Sequence, residues 1–276
     1  MALRYQEYAP SEVLRPVVDR FWFFSSGGDP MDISPVQQCI PDGMVEIILI
    51  RSSDQYVQSS DQWSKHPDIF VVGMMREPVS WAMSGGGRMM GIRLRPEAAI
   101  ELFGMPLKEI SAFGTDAGAV LGRRWLHDLE QLREAEGEHE ALRTAERILL
   151  NRETRCTRTM ERFTNAMRRM RTNGAVFDKR GAGDRLHVCD RQVQRLFKEF
   201  LGLSPTCYHR IMRFRRAYEY ATNNGQVDWG DLAFHLGFAD QAHLVRDFRS
   251  FCGLTPRMLQ ERRAPTFLLR GELAPA

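Results

Sequence analysis

The sequence predicts an α+β fold, with a β-barrel or sandwich carrying helices in its first half and an all-α second half. Three observations lead there. Residues 1–100 hold short β-branched or aromatic runs between Gly-rich turns. From about Pro96 the apolar residues recur at helical spacing. Beyond Thr157 no alternation of period two remains, and one helix ending is written twice.

The strands come first. "RFWFF" (Arg20–Phe24), "VEIILI" (Val45–Ile50), "IFVVGM" (Ile69–Met74) and "MMGIRL" (Met89–Leu94) are the runs, and "SSGGDP", "PDGM" and "SGGG" are the turns between them. Short strands with such turns predict antiparallel pairing. "PEAAIELFG" then reads as a helix opened by Pro96 and closed by Gly104. Two longer helices follow, with the stripes Trp125, Leu126, Leu129, Leu132 and Leu142, Ala145, Ile148, Leu149. Such stripes serve a core or a subunit contact, so a homodimer through this half is one expectation.

A chain of 276 residues predicts two domains, and a hydrophobic fraction of 43% suffices for a core. No apolar run reaches the length of a transmembrane helix, and "MALRYQEYAP" lacks an apolar signal core, so a cytoplasmic protein with no membrane partner is expected. Cys39, Cys156, Cys189, Cys207 and Cys252 are scattered, with no CxxC and no zinc spacing. Reduced thiols, no metal and no cofactor are expected.

The net charge of +3 hides an asymmetry. Residues 1–152 carry 16 Lys+Arg and 22 Asp+Glu, or 16 − 22 = −6; residues 153–276 carry 22 and 13, or 22 − 13 = +9. Only the second half is suited to a polyanion.

That half contains the repeat: "RLFKEFLGLSP" (Arg195–Pro205) returns as "RDFRSFCGLTP" (Arg246–Pro256), 246 − 195 = 51 residues on. In the second copy, "DWGDLAFHLGF" places Leu232, Ala233 and Leu236 on one helical face before Gly237. Asp240 is placed to cap the next helix, whose stripe is Leu244, Phe248 and Phe251. Two helices joined by a tight Gly turn make a helix-turn-helix. The outer face of the second helix carries Gln241, Ala242, His243 and Arg246, where Gln suits adenine and Arg suits guanine. The first copy has the stripe Val193, Phe197 and Phe200, with Arg191, Gln192, Gln194 and Arg195 around it. Its leading helix is weakened by Gly181 and Gly183, about 1 kcal/mol each against Ala. Cys189 stands at the cap position, with Asp190 as its expected substitute.

Between the copies, "SPTCYHRIMRFRRAYEYATNNG" reads as a rod of roughly 16 residues, about 24 Å long. Arg210, Arg213 and Arg216 recur by three on the side read as exposed, as candidate phosphate contacts. Recognition helices about 34 Å apart would enter successive major-groove segments of one duplex.

The tandem units, the arginine-bearing rod and "DLAFHLGFADQAHLVRDFRSFCGLTP" resemble the AraC/XylS-type DNA-binding domain over about Glu161–Arg263. The resemblance implies a bacterial transcription regulator binding double-stranded DNA. It assigns base reading to Arg191, Gln194 and Arg195 in one unit and to Gln241, Ala242, His243 and Arg246 in the other. RNA polymerase is a further candidate partner. "CIPDGMVEIIL" and "VVGMMREPVSW…GIRLRPEAA" resemble the cupin-like N-terminal domain of one AraC subgroup, a barrel that senses a small molecule or mediates dimerisation. The cupin metal site is not carried over, since His66 is the lone histidine of the first 100 residues. Pro41, Asp42, Gly43, Glu46, Arg93 and Arg95 are the polar or turn positions of these motifs. They read either as a turn with a buried ion pair or, for Asp42, Glu46, Arg93 and Arg95, as ligand-facing groups. The expected domains are 1–152, a linker at 153–160, the DNA-binding domain at 161–263 and a tail at 264–276.

Two other readings stand beside this one. A regulator without a small-molecule effector would answer to a partner protein or to its own abundance. An enzyme of the alkyl-damage repair type needs a zinc-bound cysteine cluster or a Pro-Cys-His-Arg-like site. Cys39 is instead followed by Ile and Pro, and no GxSxG, P-loop or GxGxxG occurs, so no catalytic residue is assigned.

Overall fold

The computed structural model describes residues 2–59, 62–154, 156–172, 183, 186, 188–224 and 227–261. Among them the first half forms ten strands: β1 Leu3–Tyr8, β2 Val18–Ser26, β3 Gln37–Cys39, β4 Val45–Ser52, β5 Gln55–Ser59, β6 Gln62–Lys65, β7 Ile69–Val72, β8 Val79–Met83, β9 Arg88–Leu94 and β10 Thr115–Asp116. They make a six-stranded sheet, β1-β2-β9-β4-β7-β10, and a four-stranded sheet, β3-β8-β5-β6. Every pairing is antiparallel.

The four strands legible as apolar runs are β2, β4, β7 and β9 of the large sheet. Both faces of that sheet are covered, so both sets of alternating side chains are apolar. Trp22, Phe24, Ile48 and Met89 point between the sheets and meet Trp81 and Met83 of β8. Phe21, Phe23, Ile47, Leu49 and Ile92 point the other way, into the helices.

Helices α1 (Pro96–Phe103), α2 (Ala117–Leu121), α3 (Arg123–Glu134) and α4 (Gly137–Leu150) supply that second layer. The stripes of α3 and α4 are consumed inside the chain: Trp125, Leu129, Leu132, Ala145, Ile148 and Leu149 are all buried in its core, with Leu126 and Leu142 partly buried against it. They are therefore not free for a second subunit, which corrects the expected dimer contact through these helices. No helix of the described residues is long and apolar enough to cross a membrane.

The second half is helical: α5 (Arg158–Thr172), α6 (Asp190–Leu201), α7 (Pro205–Asn223), α8 (Trp229–His235), α9 (Gln241–Cys252) and α10 (Pro256–Glu261). The rod α7 has 19 residues, longer than read, because Ser204 caps it from the Cys207 N–H and it runs on to Asn223. The two halves share one continuous core. Buried or half-buried ion pairs stitch them together: Asp19 with Arg215 at 2.8 Å, Glu97 with Arg171 at 2.8 Å, and Glu101 with Arg168.

Candidate nucleic-acid interface and interior cavity

The repeat extends further than its quoted ends. Phe163 on α5 and Phe214 on α7 lie 214 − 163 = 51 residues apart, the offset of the repeated helix ending. Phe163 meets Phe197 edge-on at 5.2 Å and Phe200 at 5.0 Å; Phe214 meets Phe248 edge-on at 5.0 Å and Phe251 at 5.3 Å. Each recognition helix thus rests on a phenylalanine from the helix before its unit. The shared "RF..A" of Arg162–Ala166 and Arg213–Ala217 was the available signal.

The turns also correspond. Val188 donates its N–H to the Gly183 carbonyl at 3.0 Å, as Phe238 does to Ala233 at 2.9 Å, where the bond belongs to a helix closed by a left-handed residue. In the second unit that residue is Gly237, at φ +73°. A Cβ on Gly183 would lie 3.0 Å from the Val188 carbonyl oxygen, so this glycine leaves room for the turn. Gly181 lies outside the described residues.

Both recognition helices bury the expected stripes, Val193, Phe197 and Phe200 on α6 and Leu244, Phe248 and Phe251 on α9. Arg191, Gln192, Gln194 and Arg195 are exposed, as are Gln241, Ala242 and Arg246. Asp240 caps α9 from the His243 N–H at 2.6 Å. On α6 the expected substitute cap is corrected: Asp190 is the first helical residue, Cys189 is the cap, and Gln192 reaches back to the Cys189 N–H at 3.3 Å. That bond occupies the Gln192 amide oxygen.

The connecting arginines differ most from expectation. Arg213 is 4% exposed, stacks 3.8 Å over the Phe238 ring, and donates to Asp247 at 2.9 Å and to the Gly237 carbonyl at 3.0 Å. Arg210 donates twice to the other Asp247 oxygen, at 3.0 and 2.8 Å. Both therefore clamp α9 onto α7, which corrects the reading of Arg213 as an exposed phosphate contact and turns Arg210 mostly inward. Arg216 is half-buried. Asp247 has no counterpart in the first unit, where the same offset gives Leu196.

His243 is half-buried, and its Nε2 lies 2.9 Å from Arg213 Nη2. Burial and the Arg213 charge push its pKa down, so the ring is neutral at neutral pH. A guanidinium only donates, so Nε2 accepts and the proton sits on Nδ1.

The N-terminal candidates form a second constellation. Glu46 on β4 stands directly across from Arg93 on β9. Arg93 donates to Glu46 at 2.7 Å and lies 3.4 Å from Asp42 and 3.2 Å from Glu7. The Trp22 indole donates to Glu46 at 3.1 Å, over a strand position where Gly91 leaves it room. Burial pushes the Glu46 carboxyl above its usual range. Asp42, Glu46 and Arg93 line a cavity of about 40 Å³ together with Trp22, Cys39, Gln55, Trp81 and apolar neighbours. Arg95 is not among them: it pairs with Asp19 at 3.3 Å and donates to the Arg15 carbonyl, at the base of α1. The ligand-facing reading of Arg95 is corrected accordingly. Burial, then the Glu46 charge, pushes the Cys39 thiol up to about 12, the opposite of what a nucleophile requires.

Asp42 connects this cavity to the second half. Its carbonyl lies 3.4 Å from Arg215 Nη1. The next residue, Gly43, has φ +74° and packs so closely on Met212 that a Cβ would lie 2.7 Å from its sulfur. Although burial opposes ionisation, Arg215, Arg93 and Arg95 pull the Asp19 carboxyl down to about 2. Sequence reading missed this joint: Asp19 falls in no motif, and the rod arginines singled out were Arg210, Arg213 and Arg216.

Comparison with known proteins gives two domain families. Residues 6–113 match a domain of unknown function (DUF6597), and residues 183–262 match a helix-turn-helix domain. The HTH-type transcriptional regulator ArgR of Pseudomonas aeruginosa is 32% identical over 81 residues, which are 28% of this chain. The chain spans only 24% of that relative's length. Among solved structures, a transcriptional regulator with an AraC-type DNA-binding domain from Chromobacterium violaceum is 25% identical, covering 38% of this chain and 95% of that one, with a TM-score of 0.33. ToxT from Vibrio cholerae O395 is 9% identical, covering 94% and 97%, with a TM-score of 0.43.

Proposed function

From the premise that the chain carries an AraC-type helix-turn-helix domain at its C-terminus, we propose that it is a sequence-specific DNA-binding transcription regulator. The observation that carries this is the doubled unit. Two helices with the same buried phenylalanines turn Arg195 and Arg246 outward, and neither arginine is needed by the core. In the reading, α6 and α9 enter successive major-groove segments, and Arg191, Gln194, Arg195, Gln241, Ala242 and Arg246 meet base edges. His243, held by Arg213, offers Nδ1–H as a donor of fixed orientation. Phosphates are met by exposed cations such as Lys198 and Arg249 in preference to Arg213.

The N-terminal domain would modulate this binding through a small molecule in its cavity. Asp42 supports the reading, since it lines the cavity and touches Arg215 of the rod. Selection of bound duplexes from a random pool by the full chain, followed by titration of the enriched sequence at several salt concentrations, tests the function. An enriched site spanning two major-groove segments is expected, and equal affinity for scrambled DNA overturns the proposal.

A further inference from the structure

The cavity between the two sheets is lined by one buried acceptor that no donor among the described residues meets. Gln55 on β5 is 5% exposed, and its amide oxygen is buried with no hydrogen-bond partner among the described residues. It lines both the cavity of about 40 Å³ and an adjoining one of about 30 Å³, and Glu46 and Trp81 line both as well. An orphaned buried acceptor is destabilising unless something fills its place.

The charges point the same way. Arg93 is shared by Glu7, Asp42 and Glu46, one cation against three carboxylates. Arg20 approaches Glu7 only at 3.9 Å, and Arg215 meets Asp42 at its carbonyl rather than its carboxylate. The donors that reach Glu46, from Arg93 and Trp22, both converge on Oε1. The indole rings of Trp22 and Trp81 form part of the wall, a surface that favours a cation.

We propose that this cavity binds a small organic ammonium, a compact apolar body whose N–H groups meet the Gln55 amide oxygen and the Glu46 carboxylate. A carboxylate ligand would add a fourth anion around Arg93 and leave Gln55 unpaired. The two hollows together hold about five non-hydrogen atoms, at roughly 10–15 Å³ for each water-sized group. The inference rests on the reading of the N-terminal domain as a small-molecule sensor, and it names the class of molecule.

The test uses the full chain and three probes of one size: n-butylammonium chloride, 1-butanol and sodium butyrate, each against matched sodium chloride. The ammonium is expected to raise Tm saturably, by about 5 °C at roughly 100 times its Kd. The alcohol and the carboxylate are expected to give less than half that shift. Gln55→Leu is expected to abolish the ammonium response while leaving the free protein at least as stable, because an orphaned acceptor is removed. Gln55→Asn withdraws the same carbonyl without changing polarity, so it supplies the loss-of-response test should the leucine variant fail to fold. A butyrate shift as large as the ammonium shift, no saturable ammonium shift, or an undiminished shift in the Gln55 variants overturns the proposal. DNA binding is measured on the same preparation. A chain that binds its DNA and ignores the ammonium overturns the ligand class alone, whereas one that ignores DNA overturns the regulator reading.

Discussion

Arg213 on the connecting rod and Asp247 on the second recognition helix form a buried ion pair at 2.9 Å, with both side chains at or below 5% exposure. The pair fixes the angle at which α9 leaves the rod. Removing one partner strands the other charge in a medium that solvates it poorly, at a cost of about 3–5 kcal/mol. Asp247→Ala is therefore expected to melt the second unit at lower temperature and to abolish specific binding. Arg213→Ala should lower Tm in the same way, measured by calorimetry. A variant whose only change is a salt slope flatter by about one would restore Arg213 as a phosphate contact.

Arg195 and Arg246 are expected to behave in the opposite manner. Both are exposed, so alanine at either should leave Tm within about 0.5 kcal/mol of equivalent stability. Each should cost about 1–3 kcal/mol of affinity for the selected site and relax base preference at one position. Anisotropy titrations on single-base variants of the site read this directly.

Asp19 and Arg215 join the halves, and Asp19 also holds Arg95. Asp19→Asn is expected to loosen that joint without disturbing either recognition helix. Limited proteolysis should then cut the segment between Leu150 and Arg158 several-fold faster, while Arg195→Ala leaves the cutting rate unchanged. Equal rates in both variants would show that the shared core and the Glu97–Arg171 and Glu101–Arg168 pairs hold the halves together without Asp19.

His66 gives the fold a defined acid response. Burial holds its imidazole down to about 4, stacked 3.9 Å from Phe70, against about 6.5 when the chain unfolds. Between those values the unfolded state binds a proton that the folded state refuses. Stability is complete above about pH 6.5 and is lost as pH falls towards 4, by about 3 kcal/mol in all. Urea titrations at pH 7 and pH 4.5 should show the loss in the native protein and a smaller one in His66→Gln.

The sequence by itself determined the second helix-turn-helix, the buried stripes of α6 and α9, the cap at Asp240, the turn at Gly237 and the four central strands. These follow from local rules of periodicity, capping and backbone conformation. β1, β3, β5, β6 and β8 were not legible, because they lie at sheet edges or mix polar and apolar residues, as in Gln55–Ser59 and Gln62–Lys65. Among the site residues, the outward faces of α6 and α9 could be read because each helix has one buried side. The rod α7 could not. It is packed by α9 on one side and by the Asp42–Gly43 turn on another, so spacing by three did not mean exposure. Which arginines there meet Asp247 or Asp19 was decided by which carboxylate the tertiary fold brought within 3 Å, since a buried charge takes the nearest opposite charge in place of water.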